Sequence, residues 1–353
     1  MKKKLTMAVI IGFVSLITGL ILAGIGFFTG GITRLEEVAI PKEIHKTYTD
    51  LNSINIDFIP HSVSIKESSD NNYHVTYANS DNNMQSPLTL SEKDGALTLT
   101  AQRREFKIEG IMQFFGELLA QGKVDVSLVT IEIPKGKTLN KLEGHTIDFY
   151  YGSNFTIENV HIKEINLEGN IELTNSHIDS GTLNTHFFHV TNSSLKNLDI
   201  SINDSSLHLS KTSLENVKIE NYYDLSASQI SLKGNNVFTP TKTNSYNHTR
   251  LDLTEQSLQD INLTISTQLD LMALAQEQGY YAENERELEE MMGDLTHLEK
   301  RFETMGIYTS GVYEKLSVKK EDRKQSLTLE NKNSKNSLTI DGVNATIAFE
   351  ESK

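Results

Sequence analysis

Between Ile165 and Ile230 apolar and polar residues alternate in short runs, and a small polar corner returns between the runs. The corner reads NSHI at 175–178, NSSL at 192–195, KTSL at 211–214 and, more loosely, ASQI at 227–230, giving offsets of 17, 19 and 16 residues. Strands are expected to start ahead of these corners at Ile165, Leu183, Leu198 and Val217. Alternation with period two sends one set of side chains into a core and the other outward. A repeat just below 20 residues is too short for a helix pair and fits a β-solenoid whose rungs each wrap one turn. The five prolines, at 41, 60, 87, 134 and 240, all avoid this stretch, as a ladder that needs every backbone donor requires.

The flanks keep period two but change its setting. Ile54, Ile56 and Phe58; Val63 and Ile65; Tyr73, Val75 and Tyr77; Leu88 and Leu90; and Leu97 and Leu99 are separated by turn-forming residues, which predicts an antiparallel, strand-rich start. Two segments switch to helical spacing. Residues about 109–121 carry Ile111, Met112, Phe114, Phe115, Leu118 and Leu119 ahead of Gly122, a helix with a glycine stop. Its face at Phe114, Phe115 and Leu118 suits a membrane or partner contact, or a cap over the open end of the stack. Residues about 285–305 carry Leu288, Met291, Leu295, Leu298, Phe302 and Met305 at spacings of 3, 4, 3, 4 and 3, behind Asn284 as N-cap and Glu287 as its capping-box partner. That heptad seam suits a partner helix or packing along the solenoid. Alternation resumes from Leu316 to Phe349 and is expected to close the far end of the array.

Leu5 to Phe28 is an almost unbroken apolar run of 24 residues behind Lys2, Lys3 and Lys4, long enough to span a hydrocarbon core as a helix. The lysines favour a cytoplasmic N-terminus, with the bulk of the chain extracytoplasmic and attached to the cell membrane. A cleaved signal peptide is the alternative; its apolar stretch is usually shorter and followed by small residues. The expected plan is a cytoplasmic tail at 1–4, a transmembrane helix at 5–28, a juxtamembrane stalk at 29–50 and an extracytoplasmic β-solenoid at 51–353. Gly12, Gly19 and Gly26 recur every seven residues in the apolar helix and would allow a close homodimer contact.

The segment VDVSLVTIEIPKGKTLNKLEG at 124–144, with Ile131, Ile133, Pro134, Lys135, Gly136, Leu139 and Leu142, leads into YGSN at 151–154 and EGN at 168–170. With the entry strands at Ile54, Ile56, Val63 and Ile65, this pattern resembles the bacterial β-strand-repeat family of unknown function called toast-rack proteins or labelled adhesins. The resemblance covers most of the region after the apolar helix. It implies a non-catalytic, membrane-anchored envelope protein concerned with surface stress or adhesion. Together with the general preference for right-handed crossovers, it points to an all-β fold: a right-handed β-solenoid of about 16–19-residue rungs with antiparallel strand-rich ends, two inserted α-helices and an N-terminal transmembrane helix.

Charge and chemistry narrow the function. The 353 residues carry a net charge of −14, and setting aside Lys2 to Lys4 leaves 30 basic against 47 acidic residues, a balance of −17. Nucleic acid is disfavoured as a partner; cations and cationic peptides are favoured, weakly in salt. With no cysteine there is no disulfide, thiolate metal site or thiol nucleophile. HExxH, GxSxG, phosphate-loop and EF-hand motifs are absent. His186 and His189, with His177 and His208 one rung away, could gather around a metal, but their spacings of 12 and 19 share no register. Glu168, Glu172, Asp179, Asp199, Asp204 and Glu215 lack an aromatic platform for sugar. The expectation is a non-enzymatic surface module without a cofactor, binding another envelope protein, peptide or polymer in sensing, adhesion or maintenance. The alternatives are an assembly subunit of a membrane complex and, third, a polysaccharide-active enzyme.

Overall fold

The computed structural model describes the chain apart from residues 1, 32, 35–36, 38–39, 80–86, 103–115, 117, 119–126, 147–153, 204, 243–246 and 352–353. Its body is mostly β, a solenoid-like stack of two ladders. In the first ladder His161–Glu168 pairs in parallel with Thr138–Thr146 on one side and His177–Thr185 on the other. Leu198–Ile202, Lys218–Tyr222 and Asn235–Pro240 follow. In the second ladder Asn154–Glu158, Asn170–Thr174, Phe188–Thr191, Ser206–Ser210 and Asp224–Lys233 stack in the same sense.

The alternation read from the sequence fills the space between the ladders. One inward column runs Leu167, Leu183, Ile200, Ile219 and Phe238, and the facing one runs Phe155, Ile171, Phe188, Leu207 and Leu225. All ten are buried in one continuous core, each worth about 1.5–3 kcal/mol of apolar burial. Another inward column shows how tightly rungs approach: Ile165 is followed by Gly181 and Leu198. A Cβ on Gly181 would lie 1.8 Å from the Ile165 carbonyl oxygen, and its φ is +140°. Leu183, expected to start a strand, lies inside His177–Thr185, and the position matching Ile165 is Gly181, where a residue without a side chain leaves no apolar signal.

The polar corners have a physical reason. Asn159, Asn175, Asn192, Lys211 and Gln229 all take positive φ near 50–57°, a conformation asparagine tolerates better than most residues. The next position holds small hydroxyls turned inward: Ser176, Ser193 and Thr212 donate to the carbonyls of Thr174, Thr191 and Ser210 at 2.8–2.9 Å. Each hydroxyl can also serve the neighbouring rung, as Ser193 Oγ accepts from Ser176 N at 3.0 Å. The fourth corner departs from the expected phase. Ser228 pairs with Ser210 and Ser231 with Ser213, so the corner is Gln229-Ile230, not 227–230, and its offset is 18 residues. Ile230 replaces the small hydroxyl there, which is why the polar signature slips.

At both ends the chain order and the spatial order part company. Ser53–Ile59 and Ser62–Glu67, first of the stacked strands in sequence, lie between Thr138–Thr146 and Ala96–Ala101 in one ladder and between Asn154–Glu158 and Leu128–Ile133 in the other. The last strands, Ser337–Val343 and Ala345–Phe349, lie between Asn235–Pro240 and Asn262–Gln268 and between Asn247–Leu253 and Gly306–Thr309. Of the stretch from Leu316 to Phe349 expected to close the far end, these last two strands instead form an interior rung. Closure falls to antiparallel partners: Lys324–Leu329 on Asn262–Gln268, with Val318–Glu321 outside it. At the other end Leu88–Lys93 pairs with Ala96–Ala101 and Lys42–Tyr48 with Tyr73–Asn79. Such short outer strands limit the open edge that invites another chain to pair. Lys42–Tyr48 also shortens the expected stalk at 29–50: Ile44 and Tyr48 pack partly against the core, while polar neighbours hide the strand from a sequence reading.

The helical insertions differ from expectation. The segment at 109–121, with Phe114 and Phe115, lies outside the described residues except Gly116 and Leu118, and Leu118 is helical and exposed. The expected single helix at 285–305 is two: α4 (Glu285–Met292) and α5 (Thr296–Thr304), both packed on α3 (Leu271–Glu277), while α2 (Glu255–Gln259) packs on the strand Asp224–Lys233 and α1 (Lys2–Phe28) lies at the N-terminus. Asn284 Oδ1 caps α4 by accepting from Glu287 N at 3.0 Å. Gly293, left-handed at φ 77°, ends it, and Asp294 restarts the chain by accepting from Thr296 N at 2.8 Å. The glycine inside the seam outweighs its heptad spacing.

Candidate functional site

Outward positions of the first ladder form columns that cross the rungs. Glu143, Asn166, Thr182, Asp199 and Lys218 make one column; His145, Glu168, Asn184, Ser201 and Glu220 make the next. All of these but Lys218, together with Asn55 and Asn203, line an open groove of about 610 Å³. Because the pairing is parallel and in register, a groove built here presents one row of side chains about every 4.8 Å. Its carboxylates have close partners: Lys141 lies 2.6 Å from Glu143, Lys218 2.7 Å from Glu220 and the His145 ring 3.5 Å from Glu168. The bond from each lysine to its glutamate is the main cause that raises the Lys141 and Lys218 pKa values. Half-buried carboxylates, two of them paired with lysines, suit ligand binding rather than a buried proton donor of the kind a glycosidase needs. Asn203 donates to Asn184 Oδ1 at 2.9 Å and Thr182 to Asn166 Oδ1 at 2.9 Å, so the polar rows are braced from rung to rung.

A second cleft, about 320 Å³, opens at the corner side of the same ladder, lined in part by Pro134, Lys137, Thr138, Asn159, His161, Asn175 and His177. His161 and His177 stand in adjacent rungs at one register position, their rings 4.6 Å apart and nearly perpendicular. Asp179 bridges them, Oδ2 lying 2.8 Å from His161 Nε2 and Oδ1 3.0 Å from His177 Nε2. On the far side of the first ring, His161 Nδ1 is 3.0 Å from Thr138 Oγ1. Burial pushes the Asp179 carboxyl up, but the bond from His161 and the charges of His161, His177 and Lys196 outweigh it and hold its pKa below the usual value.

The residues expected to carry contact fall differently. Leu288 and Leu298 are wholly buried, in a small core with Leu269, Leu271, Leu274, Ala275 and Met305, against which Leu295 also packs. They hold the helical insertion together, while Met291 is exposed. Arg323 fastens this group to the outer hairpin through Glu285 at 2.7 Å and Glu299 at 3.0 Å. Gly12, Gly19 and Gly26 have nothing within 4 Å of a Cβ position. The apolar run that contains them, Lys3–Gly26, is long and apolar enough to cross a membrane and none of it is buried, which fits an anchor or a signal sequence.

Of the four histidines expected to gather, His189 and His208 do meet, at 6.0 Å in the second ladder, and His177 joins His161 instead. His161 was legible in principle. NVHI at 159–162 and NSHI at 175–178 repeat at an offset of 16, but Val160 in place of a serine hides the first copy from a search for small polar corners.

The family model described as Toastrack DUF4097 matches residues 51–268. No curated protein matches the chain. Among solved structures, a protein described provisionally as a cell adhesion protein, from Clostridium sporogenes, is 12% identical, with 88% of this chain and 97% of that chain covered and a TM-score of 0.23. A provisionally described adhesin from Parabacteroides merdae is 14% identical, with 61% and 89% covered and a TM-score of 0.35. At such scores these likenesses carry no argument about binding.

Proposed function

This chain belongs to the Toastrack DUF4097 family, and on that premise we propose a non-enzymatic surface module, tethered by α1 and holding an extended ligand along the first ladder. The observation that carries the reading is the groove from Asn55 to Glu220. Amide, hydroxyl and carboxylate groups recur along it at the spacing of the rungs, as a peptide or polymer with its own repeat would need. The net charge of −17 outside the N-terminal lysines favours a cationic or hydroxyl-rich ligand. In this reading α1 remains as a single-pass anchor with the N-terminus cytoplasmic, the β body is extracytoplasmic from about residue 42, and the crossovers are right-handed.

The test is in-cell photo-crosslinking with the probe placed at Thr182 in the groove or at Met291 on the helical insertion. Capture of an envelope component from Thr182, weakened by salt and lost in Glu168→Lys, supports the groove. Capture from Met291 alone would instead support an assembly subunit, and silence at Thr182 would end the proposal.

A further inference from the structure

We propose that His161, His177 and Asp179 form a binding site for a divalent transition-metal ion of the zinc class. Two imidazoles and a carboxylate are a donor set such ions accept, with a fourth position left open. All three ligand atoms lie within 4.8 Å of one another. It is the one such group of three among the described residues.

The stack builds the site. Parallel, in-register pairing puts His177 one rung from His161, and Asp179, two residues further along the same strand, points to the same outward side. Tetrahedral donors on zinc stand about 3.3 Å apart, given metal–ligand bonds near 2.0–2.1 Å. The separations of 2.8 and 3.0 Å run to the two different oxygens of Asp179, and the three ligand atoms all lie within 4.8 Å of one another, so side-chain rotation has to bring the donors to a common centre.

Thr138 supplies an independent observation. A histidine that ligates through Nε2 must carry its proton on Nδ1, and metal sites usually give that proton an acceptor. His161 Nδ1 has Thr138 Oγ1 at 3.0 Å, and a hydroxyl can donate before the ion arrives and accept afterwards. The charge of Lys196 acts on Asp179, and its ammonium is paired to Glu215 at 3.6 Å, one rung further on. His161 and His177 line the cleft beside Pro134 and Lys137, and all three ligand side chains are only part-buried, so an ion could reach them. Its place on the same ladder as the groove lets metal occupancy brace adjacent rungs.

The experiment uses the full chain in detergent, stripped with a chelator and titrated with Zn²⁺ alone by calorimetry, with Co²⁺ as a spectroscopic probe. One ion per chain is expected, with the visible absorption of a tetrahedral Co²⁺ site. Thr138→Val should weaken binding about 10-fold, and His161→Gln and His177→Ala should abolish it. His189→Ala with His208→Ala should leave it unchanged. Absence of saturable binding, or binding that survives His177→Ala or disappears with the His189/His208 pair, would overturn the site. Melting of the stripped variants separates loss of the ion from loss of the fold; if His177→Ala unfolds, His161→Gln and the Co²⁺ spectrum decide.

Discussion

The middle of the stack and its two ends are built from the same alternating strands but solve different problems. From Asn154 to Lys233 each turn of chain lies on the one before it, so order in sequence is order in space. At each end a rung is interleaved out of order, the 53–67 rung at one end and the 337–349 rung at the other. The middle is held by local repetition: hydroxyl corners, asparagine rows and a column of apolar side chains. The ends are held by contacts between residues far apart in sequence, such as Gly234 N donating to Asn336 Oδ1 at 2.9 Å and the tilted rings of Tyr313 and Phe349, 5.8 Å between centroids. Interleaving makes an end depend on chain that arrives from elsewhere, which ties the terminal cap to the repeat.

Removing residues 331–353 should have the largest effect. It takes Leu338, Ile340, Ala345, Ile347 and Phe349 out of the core, on the order of 10 kcal/mol of apolar burial, comparable with the stability of a whole domain. Limited proteolysis should then cut throughout 262–329. A shortened chain that melts with the parent would show that the interleaved rung does not hold the end.

Next comes the contrast between two glycines in the repeat. Gly181→Ala drives a Cβ into the Ile165 backbone, which cannot retreat; a loss of more than about 4 kcal/mol is expected. Gly234→Ala meets a side chain, Asn216, first at 2.1 Å, and a side chain can rotate, so a loss of about 1–2 kcal/mol is expected. Denaturant melts of both variants test this. Equal losses would mean that rung-to-rung backbone approach is not what the middle depends on.

The smallest effect is expected in acid. Asp70, in the turn at 68–72 of the N-terminal end, accepts from Asn72 N at 2.7 Å and lies 2.9 Å from His74 Nε2. The backbone bond first, and then His74, lower its pKa to about 2. A depressed folded-state value means its contribution is present above the unfolded value of about 3.9 and is lost as pH falls through about 2. Asp70→Asn should flatten that part of the stability profile. Asp179 is lowered in the same direction, so Asp179→Asn should act likewise in the middle of the stack. A profile unmoved by either change would remove these carboxylates from the acid response.

The period-two alternation, the polar corners and the apolar run before residue 29 were decided by the sequence, because each depends on neighbours within about one rung. Phase was legible wherever a corner kept its hydroxyl, and slipped at Gly181 and Ile230, where the defining side chain is missing or replaced. Only the tertiary structure decided the rest. The interleaved rungs pair residues as far apart as Gly234 and Asn336, a choice no local pattern encodes. The heptad seam at Leu288 to Met305 was divided by Gly293 and consumed by its own small core. His161 and His177 became neighbours because parallel pairing converts an offset of 16 residues into the distance between two strands; the sequence supplied both rings, and the stack set them side by side.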